Sequence, residues 1–266
     1  MSGVGVVVEA SQIGNAFIAS FLAGMATGIG SLVTLVVQRL SRTMEDVLLS
    51  VAAGIMLAAS FFSLLLPGIE HATRQLGSEL AGVTVVIAGL MSGALLLWSL
   101  NHGVPHEHMH MGREGPDSVR IKRIWLFVFA ITLHNLPEGI AVGVGMMQQD
   151  RAAGISLALG IGVQNIPEGL AVSVALMSVG YHRTVALLVG IASGLVEPVG
   201  GLFGAVVVWL AAPLLAYFLA LAAGAMLYVI SDEIIPETHR QGESSHITFA
   251  LLGGFALMML LDVVLG

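Results

Sequence analysis

The sequence predicts an all-α integral membrane protein of eight transmembrane helices in a 3+2+3 inverted-repeat arrangement. Of its 266 residues, 56% are hydrophobic and only 10% charged, with a mean hydropathy of +0.93, whereas about a quarter of a soluble domain is charged. Eight apolar stretches reach the roughly 20 residues that a helix needs to cross a bilayer, and motifs of the first two recur in the sixth and seventh. The chain reads as one transmembrane domain, 1–266, with a His-rich loop at about 102–121. The bilayer is therefore its first partner. The formal net charge of −7 says little about soluble partners, and nucleic acid is not expected. With no cysteine, disulfides and thiolate metal sites are excluded.

The first span, 12–38, follows "MSGVGVVVEASQIGN", which lacks the basic start of a secretory signal, so it reads as a retained helix. The second and third, 46–67 and 79–101, precede the polar loop. The fourth and fifth, 122–147 and 152–179, each carry a proline and a glutamate. Between the sixth, 184–210, and the seventh, 212–235, no charge occurs over 198–231, and the cut is placed at "AAPLLAY" with Pro213. The eighth is 247–265.

Lys and Arg set the orientation. Arg39, Arg42, Arg113, Arg120, Lys122, Arg123, Arg183 and Arg240 follow the odd-numbered spans, against Arg74 and Arg151 on the other side. Both termini are therefore expected outside the cytoplasm. "GMATG" (Gly24–Gly28) is echoed by "GIASG" (Gly190–Gly194), and "AAGIML" (Ala52–Leu57) by "AAGAML" (Ala222–Leu227). Helices five apart run in opposite directions, so spans one to three match six to eight, a transporter pattern. Shared Ala/Gly packing composition is the plainer explanation of such short matches. Spans one, four, five and six hold sixteen glycines against seven in the other four. Small residues let helices approach closely in lipid, so these four are expected as an inner bundle framed by two, three, seven and eight.

Spans four and five carry "HNLPEG" (His134–Gly139) and "QNIPEG" (Gln164–Gly169). His134 and Glu138 are four residues apart on one helical face with Asn135 beside them; Gln164, Asn165 and Glu168 repeat the pattern, and Glu197 precedes Pro198 in span six. Each carboxylate at the bilayer centre costs about 2.5–3.5 kcal/mol even on the lenient scale. Apart from Lys122 and Arg123 at the first two positions of span four, no Lys or Arg lies in those spans to neutralise them, which leaves protonation or a bound cation. The prolines are expected to break their helices and to free carbonyls of Leu133, Val163 and Gly194. Imidazole with carboxylates suits Zn, Fe, Mn or another first-row divalent ion rather than Ca or Mg. Charge does not choose between one metal and two. Without a metal, these would be helix-kinking prolines with polar neighbours satisfying freed backbone.

At these residues the sequence resembles the ZIP family of divalent-metal transporters, its bacterial zinc-uptake members especially; "HNLPEGIAVGVGM" and "QNIPEGLAVSVAL" are similar to the family's fourth- and fifth-helix signatures. The resemblance implies movement of Zn2+, and also Fe2+, Mn2+ or Cd2+, into the cytoplasm across the inner membrane. It further implies an elevator-like slide of the inner bundle and often a homodimer. The metal is substrate, and no organic cofactor is implied. A first site would be His134, Glu138, Gln164 and Glu168; a second would be Asn135, Asn165 and Glu197, with Glu138 and Glu168 bridging. Many relatives have His at position 164 and some Asp at 165, so a weaker second site and broader selectivity are expected here.

Outside the constellation, Glu70 and His71 are candidates for metal capture at an entrance, and Asp232, Glu233 and His239 for a release path; solvated helix ends are the plainer reading of both. His102, His106, His108 and His110, with Glu107, suit a metal-binding cytoplasmic loop. Two rivals are an intramembrane metalloenzyme and a proton-relay carrier using the same acids. The first would want an H-E-x-x-H helix, which is missing, so the protein is not expected to be an enzyme.

Overall fold

The computed structural model describes residues 10–37, 41–103, 116–148, 150–238 and 245–265. The helices are α1 (Ala10–Leu32), α2 (Arg42–Ala59), α3 (Leu66–Leu76), α4 (Glu79–Gly103), α5 (Pro116–Gly145), α6 (Arg151–Ser178), α7 (Arg183–Gly194), α8 (Glu197–Leu210), α9 (Leu215–Val229), α10 (Ile235–Thr238) and α11 (Ser245–Leu265). Seven helical stretches among the described residues are long and apolar enough to cross a membrane: Ser11–Leu35, Asp46–Leu76, Glu79–Ser99, Arg151–Ser178, Arg183–Leu210, Ala212–Asp232 and Ser245–Val264. The expected fourth span falls on α5, 30 residues long. Among the described residues there is no strand, as suits a chain whose backbone groups must all be satisfied inside lipid. Large apolar side chains face outward, Leu80, Phe249 and Val263 among them, because the solvent there is hydrocarbon.

Local sequence explains several of the helix ends. Asp150 caps α6 by accepting from the amides of Ala152 and Ala153 at 2.9 and 3.2 Å. Gly77 ends α3 in a left-handed conformation, φ 66°, where a Cβ would be strained. Pro213 sits in the 3-10 turn Ala212–Leu214 that separates α8 from α9. Two further prolines, each the second residue of its helix, follow widened turns. The π-turn Ser60–Leu65 joins α2 to α3 just before Pro67, and the π-turn Ile230–Ile234 joins α9 to α10 just before Pro236. In each, the amide preceding the proline reaches back five residues, Leu66 to Phe61 and Ile235 to Ile230, which makes room for the ring.

Backbone contacts at glycine sort the helices into two groups. A Cβ on Gly139 would fall on the Glu197 carbonyl and one on Gly143 on that of Gly201, joining α5 to α8; one on Gly169 would fall on the Thr27 carbonyl, joining α6 to α1; and one on Gly24 would fall on the Gly194 carbonyl and near Glu197, joining α1 to α7 and α8. The second group is α2 against α11, through Gly54 and Gly254, and α4 against α9, through Gly93 and Gly224. Small residues at these crossings let backbones touch, the main source of association in lipid.

The contacts come in matched pairs. Gly54 meets the carbonyl of Leu251 as Gly224 meets that of Leu90, and Gly254 meets that of Val51 as Gly93 meets that of Leu221. In the other group Gly30 meets Ile166 as Gly200 meets Leu136, and Gly190 meets the Ser31 hydroxyl as Gly201 meets that of Ser20. Gly24 and Gly194 meet each other reciprocally. These pairs put Gly24 opposite Gly194, whereas the motif comparison matched Gly24 with Gly190. The correction is four residues, one helical turn. Small residues spaced by four look alike when shifted by a turn, and only the contact partner fixes the register.

The seam between the groups has a different texture. Leu96 and Leu97 of α4, Leu136, Pro137 and Ile140 of α5, and Leu221 of α9 line an apolar crevice along it. Among the described glycines packed this closely, Gly160 crosses the seam, and it meets the flexible thioether of Met258 rather than backbone. Near one rim the Gln148 amide donates to the Ser63 carbonyl at 3.4 Å, a long bond.

Candidate metal centre

The two matched hexads stand on α5 and α6, and both helices run through their prolines without interruption. The expected breaks at Pro137 and Pro167 therefore do not occur. Proline removes one intrahelical bond and in water costs about 3 kcal/mol, but within a packed bundle neighbouring helices hold the rod in place. Of the three prolines beside the acids, Pro198 alone coincides with a break. There α7 stops at Gly194 and α8 starts at Glu197, so Glu197 lies in the first turn of α8, where the helix dipole favours a negative charge.

The acids are withdrawn from solvent: Glu138 and Glu197 are 0% exposed and Glu168 is 2%. Side-chain amides bind them together. Gln164 donates from Nε2 to Glu138 Oε1, and Asn165 donates from Nδ2 to Glu197 Oε1 at 2.7 Å and to the Ala23 carbonyl at 2.9 Å. Asn135 donates to the Ser193 carbonyl at 2.8 Å, tying α5 to the end of α7. The three amides thus use their N–H groups on carboxylates and on backbone at the crossings with α1 and α7.

That arrangement leaves oxygens over. Asn135 Oδ1, Glu138 Oε2, Gln164 Oε1, Asn165 Oδ1, both carboxylate oxygens of Glu168, and Glu197 Oε2 are all buried without a hydrogen-bond partner. A buried unpartnered acceptor costs on the order of 1–3 kcal/mol, and native interiors contain few. Seven on six residues of one region is therefore a site that needs protons or a cation. Among the described residues no three His, Cys, Asp or Glu groups are already spaced around a single ion position; Gln164 and Asn165 each hold one acid instead.

The other sequence candidates are distributed as follows. His134 is on α5, but its side chain lies outside the described residues, as do those of His102 and Glu233 and the whole of His106, His108, His110 and His239. Glu70 is exposed and His71 half-buried on α3, and Asp232 is exposed in the second π-turn. The structure adds Thr27 of α1, which is 0% exposed with its hydroxyl unpartnered. A buried threonine amid "GMATG" carries no signal of its own; the matched contacts reveal it.

Buried acids and amides held between close-packed helices place the protein among polytopic membrane proteins that handle charge inside the bilayer. The family model described as ZIP Zinc transporter matches residues 98–262. The chain is 45% identical to zinc transporter ZIPB of Bordetella bronchiseptica over 96% of its own length and 82% of that protein's. It is 43% identical to zinc transporter GufA of Myxococcus xanthus, over 96% of this chain and all of that one. To human zinc transporter ZIP11 it is 34% identical, over 96% and 98%. The chain belongs to the ZIP zinc transporter family, a family of metal-ion transporters rather than enzymes.

Proposed function

We propose that this chain imports divalent transition-metal ions, zinc foremost and Fe2+, Mn2+ or Cd2+ besides, into the cytoplasm across the inner membrane. The observation that carries the proposal is the set of seven unpartnered acceptor oxygens on Asn135, Glu138, Gln164, Asn165, Glu168 and Glu197. A cation satisfies these oxygens together, and the three carboxylates offset its charge with no Lys or Arg in the spans beyond Lys122 and Arg123, which open span four at least 11 residues before His134. His134, four residues before Glu138 on α5, adds the imidazole that favours zinc over calcium or magnesium. Asn135, Asn165 and Glu197 form the second half of a binuclear site bridged by Glu138 and Glu168.

The carrier works by alternating access, with eight spans in a 3+2+3 inverted repeat, both termini outside, and two copies forming a dimer. Support for the repeat comes from the matched contact pairs and the matched π-turns. The slide of α1, α5, α6, α7 and α8 against the remaining helices is supported by the contrast in packing. Backbone meets backbone inside each group, whereas the described seam is lined by apolar side chains. Close-packed bodies joined through side chains move as units.

The test is influx of Zn2+, Fe2+, Mn2+ and Cd2+, supplied singly, into sealed vesicles containing the purified protein, with internal pH followed in the same run. Saturable uptake with zinc preferred is expected. Proton movement with no uptake of any divalent ion would replace the proposal by a proton relay.

A further inference from the structure

We infer that Thr27 is a further oxygen donor of the metal centre, the counterpart on α1 of Glu197 on α8, and that its hydroxyl helps select the cation; the inference rests on the metal-transport reading above. The contact pairs define the equivalence. The Thr27 carbonyl lies against Gly169 of "QNIPEG", and the Glu197 carbonyl against Gly139 of "HNLPEG". Asn165 donates to the Ala23 carbonyl and Asn135 to that of Ser193. Ala23 and Ser193 are separated by 170 residues, as are Thr27 and Glu197, and Gly30 and Gly200. Three matched pairs of contacts therefore agree on one register.

The two halves differ in what they do with this position. On one side Asn165 also holds the Glu197 carboxylate at 2.7 Å. On the other, Asn135 Oδ1 and Thr27 Oγ1 are both buried and both without a partner. Buried helical hydroxyls usually bond back to the preceding turn, as Ser20, Ser31 and Ser60 do at 2.8, 3.0 and 2.8 Å. Thr27 does not, so its oxygen is available. It supplies a neutral, hard donor where an acid would add a fourth negative charge, and hard oxygen favours Zn2+ over the softer Cd2+.

The experiment compares Thr27→Val, which keeps the shape, with Thr27→Ser, which keeps the hydroxyl, in the full-length protein. Zn2+ and Cd2+ affinities are read by competition with a chelating dye, and influx is read in vesicles. Thr27→Val is expected to weaken Zn2+ binding about five- to tenfold and Cd2+ binding less, with Thr27→Ser near wild type. Unchanged zinc affinity and Zn/Cd preference in Thr27→Val overturns the assignment, as does an equal loss in Thr27→Ser. Should the valine variant fail to insert, Thr27→Ala against Thr27→Ser decides in the same way, equal zinc affinities counting against Thr27. Binding that weakens in Thr27→Val while the wild type imports no metal supports Thr27 as a ligand and removes the transport reading instead.

Discussion

At the scale of single residues, the chemistry depends on how each polar atom is satisfied. Glu168 presents two unpartnered oxygens, whereas Glu138 and Glu197 each have one oxygen held by an amide. Alanine at Glu138 or Glu168 removes charge that nothing nearby replaces. Metal influx is expected to fall by at least about a hundredfold in protein that still inserts and folds, as read by vesicle uptake alongside a thermal melt. His134→Ala should cost about tenfold in zinc affinity with residual uptake, and an unaltered affinity would remove the imidazole from the ligand set. The acids and their neighbours were legible in the sequence because ionisable residues are rare in spans. Their hydrogen-bond partners were not: Asn135 binds the carbonyl of Ser193, 58 residues away, and no local pattern encodes that.

At the scale of elements, proline has different outcomes according to its surroundings. Pro198 stands at a real interruption, Pro67 and Pro236 follow π-turns, and Pro137 and Pro167 lie inside continuous helices. The sequence marks where a backbone bond is lost, but packing decides whether the helix ends, widens or continues. Glycine follows a similar rule. A Cβ on Gly224 would coincide with the Leu90 carbonyl, so Gly224→Ala must push α9 from α4. A loss of about 1–3 kcal/mol is expected, visible as a lower melting temperature. Gly253, which has open space around it, is the matched control, and an equal melting temperature for Gly224→Ala and Gly253→Ala would contradict the tight crossing.

At the scale of the molecule, the seam is the place where motion can be tested. The natural chain has no cysteine, so an introduced pair reports alone. Cysteines at Gly160 and Met258, whose side chain Gly160 meets across the seam, are expected on oxidation to tie the groups together and stop influx, with recovery on reduction. Cysteines at Ser63 and Asp262, hydrogen-bonded at 2.7 Å within one group, should leave influx intact when oxidised. Full influx through the oxidised Gly160/Met258 pair would show that no slide is needed.

The sequence by itself determined the membrane class, the helical character of the spans and the presence of acids within them. Hydropathy, charge scarcity and the paired hexads are properties of the chain in one dimension, and lipid enforces them regardless of neighbours. Only the tertiary structure decided the register of the glycine contacts, the fate of each proline and the burial of the Thr27 hydroxyl without a partner. Those depend on which backbone meets which glycine, and a shift of one helical turn changes the partner while leaving the sequence pattern nearly unchanged.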